Sequence, residues 1–262
     1  MRRYLRLYGV FLDTCFAREA EFRANFWANL ITNSGWLLFS VALIKVVYLN
    51  TPSIAGWSEA EAMVLTGTHG LVQGLFSIVA FQNLSRLPEQ VRLGTLDYVV
   101  TKPVSPLFMV STRYVKLDSL GNALGAAAVI LYGVSMAGRV PAPPDLAAYT
   151  YLTVCALAIY YGVYLLLMTL SFWFVRVDNL AVLSDVIFHI GRYPVDIFHR
   201  WVWSLFVYIV PLAFVACFPA RALFGRLGPG FLALGAVFAV LLGAAAVGFW
   251  RLGLRSYSSA SS

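Results

Sequence analysis

Charged residues are scarce in this chain. Asp, Glu, Lys and Arg make up 12% of its 262 residues, whereas hydrophobic residues make up 60% and the mean hydropathy is +0.77. Soluble globular domains carry about 25% charged residues, so the composition excludes a soluble domain. The useful unit for dividing the chain is instead a run of about 20 apolar residues, the length of a helix that crosses a bilayer.

Sequence motifs for catalysis and metal binding are also missing. No GxxxxGK[ST], HExxH or GxSxG occurs, and the three histidines lack the spacing of metal ligands. The three cysteines form no CxxC pair, so Cys15, Cys155 and Cys217 are interpreted as packing residues. The sequence therefore predicts no catalytic residue, no metal site and no cofactor bound by this chain itself.

The basic residues stand at the ends of apolar runs. The net charge is +7, but its distribution is typical of orientation signals in membrane proteins and not of a nucleic-acid-binding surface. The pattern predicts membrane lipids as partners and no nucleic acid. Residues 1–23 alternate aromatic and basic side chains at helical spacing, which predicts an N-terminal helix lying in the membrane interface.

Apolar runs predict six transmembrane helices in an all-α integral membrane protein. The first, third and fourth runs are flanked by Trp, Tyr, Lys or Pro, as expected at the membrane surface. The six predicted spans are 24–48, 62–84, 117–138, 146–175, 178–193 and 230–250.

Counts of Lys and Arg predict the orientation. The connection between spans one and two has no Lys or Arg, and the connection between spans three and four has only Arg139. The positive-inside rule therefore places the N-terminus, the 87–106 segment and the C-terminus in the cytoplasm. The basic residues that carry this assignment are Arg2, Arg3, Arg6, Arg18 and Arg23 before span one, and Arg86, Arg92, Lys102, Arg113 and Lys116 between spans two and three.

The region 176–228 allows two interpretations. In one, 178–200 is a cytoplasmic amphipathic segment and Trp201–Phe218 crosses the membrane. In the other, 178–193 crosses as a short helix, and 194–228 forms Pro-broken helices that re-enter the outer leaflet. Broken helices at that depth are tolerated only where protein buries them or where they line a wet cavity.

Ionisable residues inside the apolar runs are candidates for a transport path. Asp185, His189 and Arg192 are spaced four and three residues apart, so one helix face can carry all three. The alternative is a cluster that satisfies itself and holds a short span. His69 and Gln73 are four apart in span two, where a hydrogen bond between helices is the alternative to a path.

The longest polar interruption is 87–106, LPEQVRLGTLDYVVTKPVSP. It is predicted to form a short amphipathic helix, with Val91, Leu96 and Val99 on an apolar face and Glu89, Arg92 and Asp97 on a charged one. Pro88 and Pro103 would set its ends. Such an element between two spans suits a protein partner outside the membrane.

The run 91–106 resembles the segment after the second span in ABC-2 type permeases, the membrane subunits of bacterial ATP-binding cassette exporters. The stretches Ala17–Asn29, Asn50–Trp57, Phe172–Asn179 and Gly191–Trp201 are similar to one subfamily of these permeases. The residues of the run that carry the resemblance are Gly94, Leu96, Asp97, Lys102, Pro103, Ser105 and Pro106.

The resemblance implies a single ABC-2 transmembrane domain over 1–262. It implies six spans, an N-terminal interfacial helix, a cytoplasmic coupling helix between spans two and three, and re-entrant helices between spans five and six. It implies a second permease chain, a copy or a paralogue, and two separate ATPase subunits that bind ATP and Mg. The ATPase contact is then expected at Glu89, Val91, Arg92, Gly94, Leu96, Asp97, Lys102 and Pro103.

The expected function is export of a hydrophobic or amphipathic substrate across a bacterial cytoplasmic membrane. Two other functions fit parts of the sequence. One is a membrane scaffold or sensor that recruits a cytoplasmic partner without transport. The other is a lipid-modifying enzyme, for which the sequence offers no clustered nucleophile or metal site.

Overall fold

The computed structural model of the chain describes residues 2–21, 23–174 and 180–257. Most of these residues are helical, and extended pairing within them is limited to a bridge between Ile54 and Trp57. The predicted all-α class is confirmed. Helices satisfy their backbone hydrogen bonds within one segment, which is the requirement that a hydrocarbon environment places on a spanning element.

Thirteen α-helices occur in the described part of the chain. Two π-helical segments (Ser77–Phe81 and Leu205–Ile209) and three 3₁₀ segments (Leu170–Phe172, Val195–Ile197 and Leu212–Phe214) continue or link them. The helices are α1 Arg2–Glu21, α2 Arg23–Tyr48, α3 Glu59–Phe76, α4 Gln82–Leu84, α5 Leu87–Arg92, α6 Asp97–Val100, α7 Pro106–Thr112, α8 Ser119–Met136, α9 Pro143–Thr169, α10 Leu180–Ile190, α11 Arg200–Ser204, α12 Cys217–Leu223 and α13 Pro229–Ser256.

Four helical stretches in the described residues are long and apolar enough to cross a membrane. They are Glu59–Arg92, Ser119–Met136, Pro143–Phe172 and Pro229–Ser256, and each overlaps a predicted span. The chain is therefore an integral membrane protein.

The two remaining predicted spans coincide with shorter apolar helices, Gly35–Tyr48 within α2 and Leu180–Ile190. The eleven residues of α10 extend only about 16 Å, roughly half of a hydrocarbon core. The predicted boundaries at Val175 and Asp178 lie outside the described residues.

The closest helix packing joins α3 and α8, where small residues face each other. A Cβ atom placed on Gly67 would lie 2.7 Å from Ile130 Cγ1, and one on Gly74 would lie 3.1 Å from the Ala123 backbone nitrogen. Ala126 is fully buried in this contact. Only small side chains let two backbones come this near.

The helices connect two groups of non-spanning elements. The proximal end holds α1, α4–α7, the 170–172 turn and the last turn of α13. There Tyr4 packs edge to face on Phe108 at 4.9 Å, and Phe172 contacts Trp250 at 5.5 Å and Tyr257 at 5.9 Å. The first and last described residues therefore lie at the same end.

The distal end holds the 49–58 connection, the 137–142 connection and residues 191–228. The Tyr48 hydroxyl donates to the Trp57 carbonyl at 2.9 Å, and Arg139 donates to the Phe224 carbonyl at 3.0 Å. The first contact closes the 49–58 connection, whereas the second joins two connections that are far apart in sequence, as does a hydrogen bond from Trp57 Nε1 to Asp196 at 2.9 Å, so the distal end is packed together.

Residues 200–223 do not form one continuous helix. The backbone leaves helical geometry at Val210 (φ −116°, ψ 90°) and at Pro211 (φ −70°, ψ 55°). Proline has no N–H to continue the helix ladder. The local structure agrees with the interpretation in which 194–228 consists of Pro-broken helices, and it does not agree with a helical span over Trp201–Phe218.

The first helix, α1, packs along the 105–115 segment. Phe11 stacks on Phe108 with ring centroids 6.5 Å apart, and the buried Cys15 sulfur accepts from the Val115 N–H at 3.3 Å. Leu5 and Phe16 remain 70% and 68% exposed. Protein thus covers part of the apolar face of α1, and its exposed part is available for the predicted membrane interface.

Candidate functional site

A cavity of about 500 Å³ lies between α2, α3, α8, α9 and α10. Its wall along α3 extends from Thr66 to Phe81, about 22 Å at helical rise. That depth is a large part of the hydrocarbon core of a bilayer. Its lining is mixed in character: Trp36, Leu37, Ser40, Thr66, His69, Gly70, Gln73, Gly74, Ser77, Phe81, Lys116, Ser119, Asn122, Tyr160, Asp185, His189 and Arg192. We refer to this cavity as the chamber.

The structure brings together all five residues that were candidates for a transport path. His69 and Gln73 line the chamber from α3, and Asp185, His189 and Arg192 line it from α10 and the turn that follows. Asp185 and His189 line the chamber from α10 itself, whereas Arg192 lies in the turn after that helix ends at Ile190, so the three residues line one cavity without sharing one helix. Their contact with a substrate stays a prediction.

His69 connects the two helices that supply these residues. Its Nε2 lies 3.0 Å from the backbone carbonyl oxygen of Phe188 in α10. The Phe188 ring stacks on Tyr160 of α9, with centroids 3.6 Å apart and an interplanar angle of 9°. The alternative interpretation of His69, a hydrogen bond between helices, is therefore confirmed, and the same residue also lines the chamber.

The three polar residues of α10 bond locally and not to one another's side chains. His189 Nδ1 lies 2.7 Å from the Asp185 backbone carbonyl, and Arg192 Nη2 donates to the Tyr193 hydroxyl at 2.8 Å. Among the described residues, no salt bridge joins Asp185 to His189 or Arg192. These side chains thus form no ion pair with one another, and the alternative that they satisfy one another and hold the short span in a dimer stays a prediction. Asp185 and Arg192 both line the chamber.

Sequence reasoning missed several chamber residues. The sequence identifies Lys116, whose Nζ lies 3.6 Å from the Asp118 carboxylate, only as an orientation signal. It gives no reason to select Tyr160 or Asn122, which also line the chamber. Their positions follow from the packing of α8 and α9 against α3, which no single-helix pattern contains. Ser77 and Phe81 bracket the π-helical segment, a feature often found where helices serve function.

The segment predicted as one coupling helix is divided into α5 and α6. Gly94 separates them with φ +69°, a left-handed conformation that glycine adopts without steric cost. Pro88 lies in the first turn of α5, as predicted, and Pro103 follows α6. The single-helix prediction is wrong because the turn at 93–96 reverses the chain between two short helices.

Burial corrects the predicted contact face of this segment. Leu96 and Val99 are 0% and 4% exposed and belong to the main hydrophobic core, so they cannot fill a groove on another protein. Val91 is partly buried against the same core. The exposed apolar side chains are instead Leu93 (55%), Tyr98 (73%) and, less so, Val100 (39%). Glu89, Arg92, Lys102 and Pro103 are exposed beside them, and Asp97 is partly exposed.

Two contacts fasten the segment to the helix bundle. The Asn83 side chain accepts from the Tyr114 N–H at 2.8 Å and donates to the Tyr114 carbonyl at 2.6 Å, which clamps the end of α4 to the approach to α8. At the other side, the Asp97 carboxylate lies near the Tyr257 hydroxyl. Burial, with the Asp97 charge as an additional cause, raises the pKa of Tyr257 to about 12, so this phenol is protonated at neutral pH.

An ion-pair cluster organises the distal end. Asp196 accepts from Trp57 Nε1 at 2.9 Å and pairs with Arg221 at 2.5 Å. The Arg221 guanidinium also lies over the Trp57 ring at 5.4 Å. Arg226 pairs with Glu61, whose side chain completes a capping box with Ser58 at the start of α3. The cluster anchors the broken helices of 191–228 to the beginning of α3.

The sequence predicts no metal site. Among residues 2–21, 23–174 and 180–257, the structure contains no group of three or more His, Cys, Asp or Glu side chains that could hold a metal ion. The free cysteines Cys15, Cys155 and Cys217 are all buried.

One comparison with known proteins identifies a family. The family model described as "ABC-2 family transporter protein" matches residues 35–261. No curated protein and no solved structure matches the chain.

Proposed function

Because this chain belongs to the ABC-2 family of transporter proteins, we propose that it is the permease subunit of an ATP-binding cassette exporter. It moves a hydrophobic or amphipathic substrate out of the cytoplasm or the inner leaflet by alternating access. The observation that carries this proposal is the chamber, in which polar residues from several helices face a common space along most of the depth of α3. Ionisable residues at membrane depth are costly unless they serve a function.

The proposed topology has six spans: α2, α3 with its π-helical continuation, α8, α9, α10 and α13. It is supported by the shared position of both described termini at the proximal end, which requires an even number of crossings. The predicted basic clusters before α2 and between α4 and α8 belong to that end, so the proximal end is cytoplasmic. The protein is then a multi-pass protein of a bacterial cytoplasmic membrane, and 194–228 is re-entrant from outside.

Energy is proposed to come from a separate subunit. ABC-2 permeases normally work with an ATP-binding subunit, and this chain contains no P-loop. We assign the docking surface to the exposed side of α5 and α6, formed by Glu89, Arg92, Leu93, Tyr98 and Lys102. This surface has two apolar side chains beside charges of both signs. The apolar side chains can anchor a partner protein, and the charges can orient it.

The attachment of the segment suggests how motion is transmitted. The Asn83–Tyr114 clamp joins it to the ends of the second and third spans, and packing on Phe172 and Tyr257 brings the fourth and sixth spans close to it. Displacement of the segment by an ATPase therefore acts on helices that border the chamber. The buried Leu96 and Val99 contribute by making the segment move as one body with these helices.

The complete transporter is proposed to contain two permease chains, copies or paralogues, and two ATPase subunits that bind ATP and Mg. Isolation of the tagged chain from its native membrane tests this composition. We expect mass spectrometry to identify a co-purifying ATPase that carries a P-loop.

A charge in the proposed docking surface tests where the ATPase binds. Tyr98→Glu is expected to lower ATPase recovery at least tenfold, because it places an unpaired charge in a desolvated contact. Val140→Glu, at an exposed distal position, is the matched control and is expected to leave recovery unchanged. Unchanged recovery with Tyr98→Glu would contradict the docking surface. Recovery of the ATPase without ATP-dependent substrate movement in vesicles would favour the scaffold function.

A further inference from the structure

A second, apolar cavity of about 170 Å³ adjoins the chamber. The two cavities share Trp36, Ser40, Thr66 and Arg192, so they meet along one line between α2 and α3. Beyond this junction the second cavity is lined mainly by aliphatic and aromatic side chains, among them Phe39, Leu43, Val47, Leu65 and Ile197. We call the second cavity the groove.

The groove opens on the lateral surface of the helix bundle, along α2. Its α2 wall consists of Trp36, Phe39, Leu43 and Val47, which share one helix face and are 63%, 58%, 47% and 41% exposed. From Trp36 to Val47 this wall measures about 16 Å, which is about half of a 30 Å hydrocarbon core. The groove therefore has the polarity and length that suit the tail of a molecule occupying one leaflet.

The junction carries positive charge. Arg192 is the one charged residue among the four that the cavities share. Its Nη2 is used by the neutral Tyr193 hydroxyl, and among the described residues it has no carboxylate within salt-bridge distance. Asp185, the acid of the chamber, lines only the larger cavity, and it is not within salt-bridge distance of Arg192. A head group at the junction thus meets a guanidinium, which binds phosphate and carboxylate oxygens with paired donors.

We propose that the groove and the junction bind an anionic membrane phospholipid, with its acyl tail in the groove and its phosphate on Arg192. This inference rests on the proposed transport function, since it defines the class of amphiphile that the chamber handles and places its release at the outer leaflet, the side of the distal residues Ile54 and Ile197 that line the groove. The tail stays beside α2 in contact with lipid, and only the head group reaches the polar chamber. The desolvation cost of moving the head group is then offset by charge-assisted hydrogen bonds.

Native mass spectrometry of the purified full-length chain tests the proposal directly. The probes are phosphatidylglycerol and phosphatidylcholine with identical acyl chains, supplied at equal concentrations. We expect the wild type to retain phosphatidylglycerol preferentially and Arg192→Gln to retain about tenfold less of it, the factor expected when one charge-assisted contact is lost. Arg200→Gln, which changes an exposed basic residue that lines neither cavity, is expected to retain as much as the wild type.

A second variant separates loss of binding from loss of folding. Val47→Trp fills the groove without changing charge, and it is expected to lower retention of both phospholipids while the melting temperature stays near that of the wild type. Equal retention of the two phospholipids by the wild type, or equal loss in Arg192→Gln and Arg200→Gln, would overturn the proposal. Preference for a cationic amphiphile would overturn it too and would point to Asp185.

These measurements need no ATPase. Failure of the proposed transport function would appear as absence of the ATPase from the purified complex, with phospholipid retention intact. Failure of the phospholipid site would appear as the reverse, so the two outcomes are distinguishable.

Discussion

His69 Nε2 and the backbone carbonyl oxygen of Phe188 are 3.0 Å apart, and this contact joins α3 to α10 at the wall of the chamber. The ring of the same phenylalanine stacks on Tyr160 of α9. The short helix α10 is thus held through both the backbone and the side chain of one residue. Its position, and with it that of Asp185 and Arg192, depends on partners in two longer helices.

Replacement of His69 by leucine is expected to loosen α10. The change removes the contact between the two helices and leaves the Phe188 carbonyl with only the Gly191 N–H as its partner, at a cost of about 1 kcal/mol, typical of polar contacts between helices in membranes. The melting temperature in detergent should fall. Gln73→Leu is the matched control from the same chamber wall, and it should lower the melting temperature less. An equal fall in both variants would mean that chamber polarity, and not the contact between α3 and α10, determines stability.

Gly67→Ala is expected to destabilise the contact between α3 and α8. The added Cβ would lie 2.7 Å from Ile130 Cγ1 and 3.0 Å from the Ala126 carbonyl oxygen, so a backbone has to shift. Overpacking of this kind costs about 1–3 kcal/mol. Gly248→Ala in α13 meets no atom within 4 Å, and it should be neutral or stabilising because alanine favours helix. Thermal unfolding of the two variants measures the difference, and similar melting temperatures would contradict the close packing.

Truncation to alanine should affect different properties at Leu93 and at Leu96. Leu96→Ala removes a fully buried side chain and is expected to lower the free energy of unfolding by about 2–5 kcal/mol. Leu93→Ala changes a side chain that is 55% exposed, so it should leave stability nearly unchanged and weaken ATPase recovery. Denaturation in detergent and co-purification measure the two effects. If Leu96→Ala kept its stability but no longer recovered the ATPase, Leu96 would belong to the surface that contacts the ATPase.

Cysteine labelling tests the side of the membrane on which residues 191–228 lie. The three native cysteines are buried, so background labelling should be low. His199→Cys, at an exposed position, is expected to react with a membrane-impermeant maleimide added to intact cells. Lys102→Cys should react only after permeabilisation. Labelling of His199→Cys only from the cytoplasm would overturn the re-entrant arrangement.

Much of the architecture could be predicted from hydropathy alone. The runs that predicted spans two, three, four and six each overlap a helix that is long and apolar enough to cross a membrane, because about 20 apolar residues favour a helix whose backbone bonds are internal. Asp185 and His189, four residues apart, both line the chamber from α10, as helical spacing predicts, whereas Arg192 lies beyond the end of that helix.

The 87–106 segment shows what a sequence pattern does not determine. A periodic pattern identifies an apolar face, but it does not say whether that face meets another protein or the chain's own core. Leu96 and Val99 were assigned to a partner and instead pack inside, because the turn at Gly94 directs them toward the bundle. The exposed Leu93 and Tyr98 follow from that turn.

The sequence by itself determined the membrane class, the all-helical character and the family, because each depends on composition, local periodicity or short motifs. Only the tertiary structure decided that residues from five helices enclose one chamber, that this chamber meets an apolar groove at Arg192, and that Asn83 clamps the coupling segment. These features depend on contacts between residues far apart in the chain, and such contacts form only when close packing selects one arrangement of helices from many of similar hydropathy.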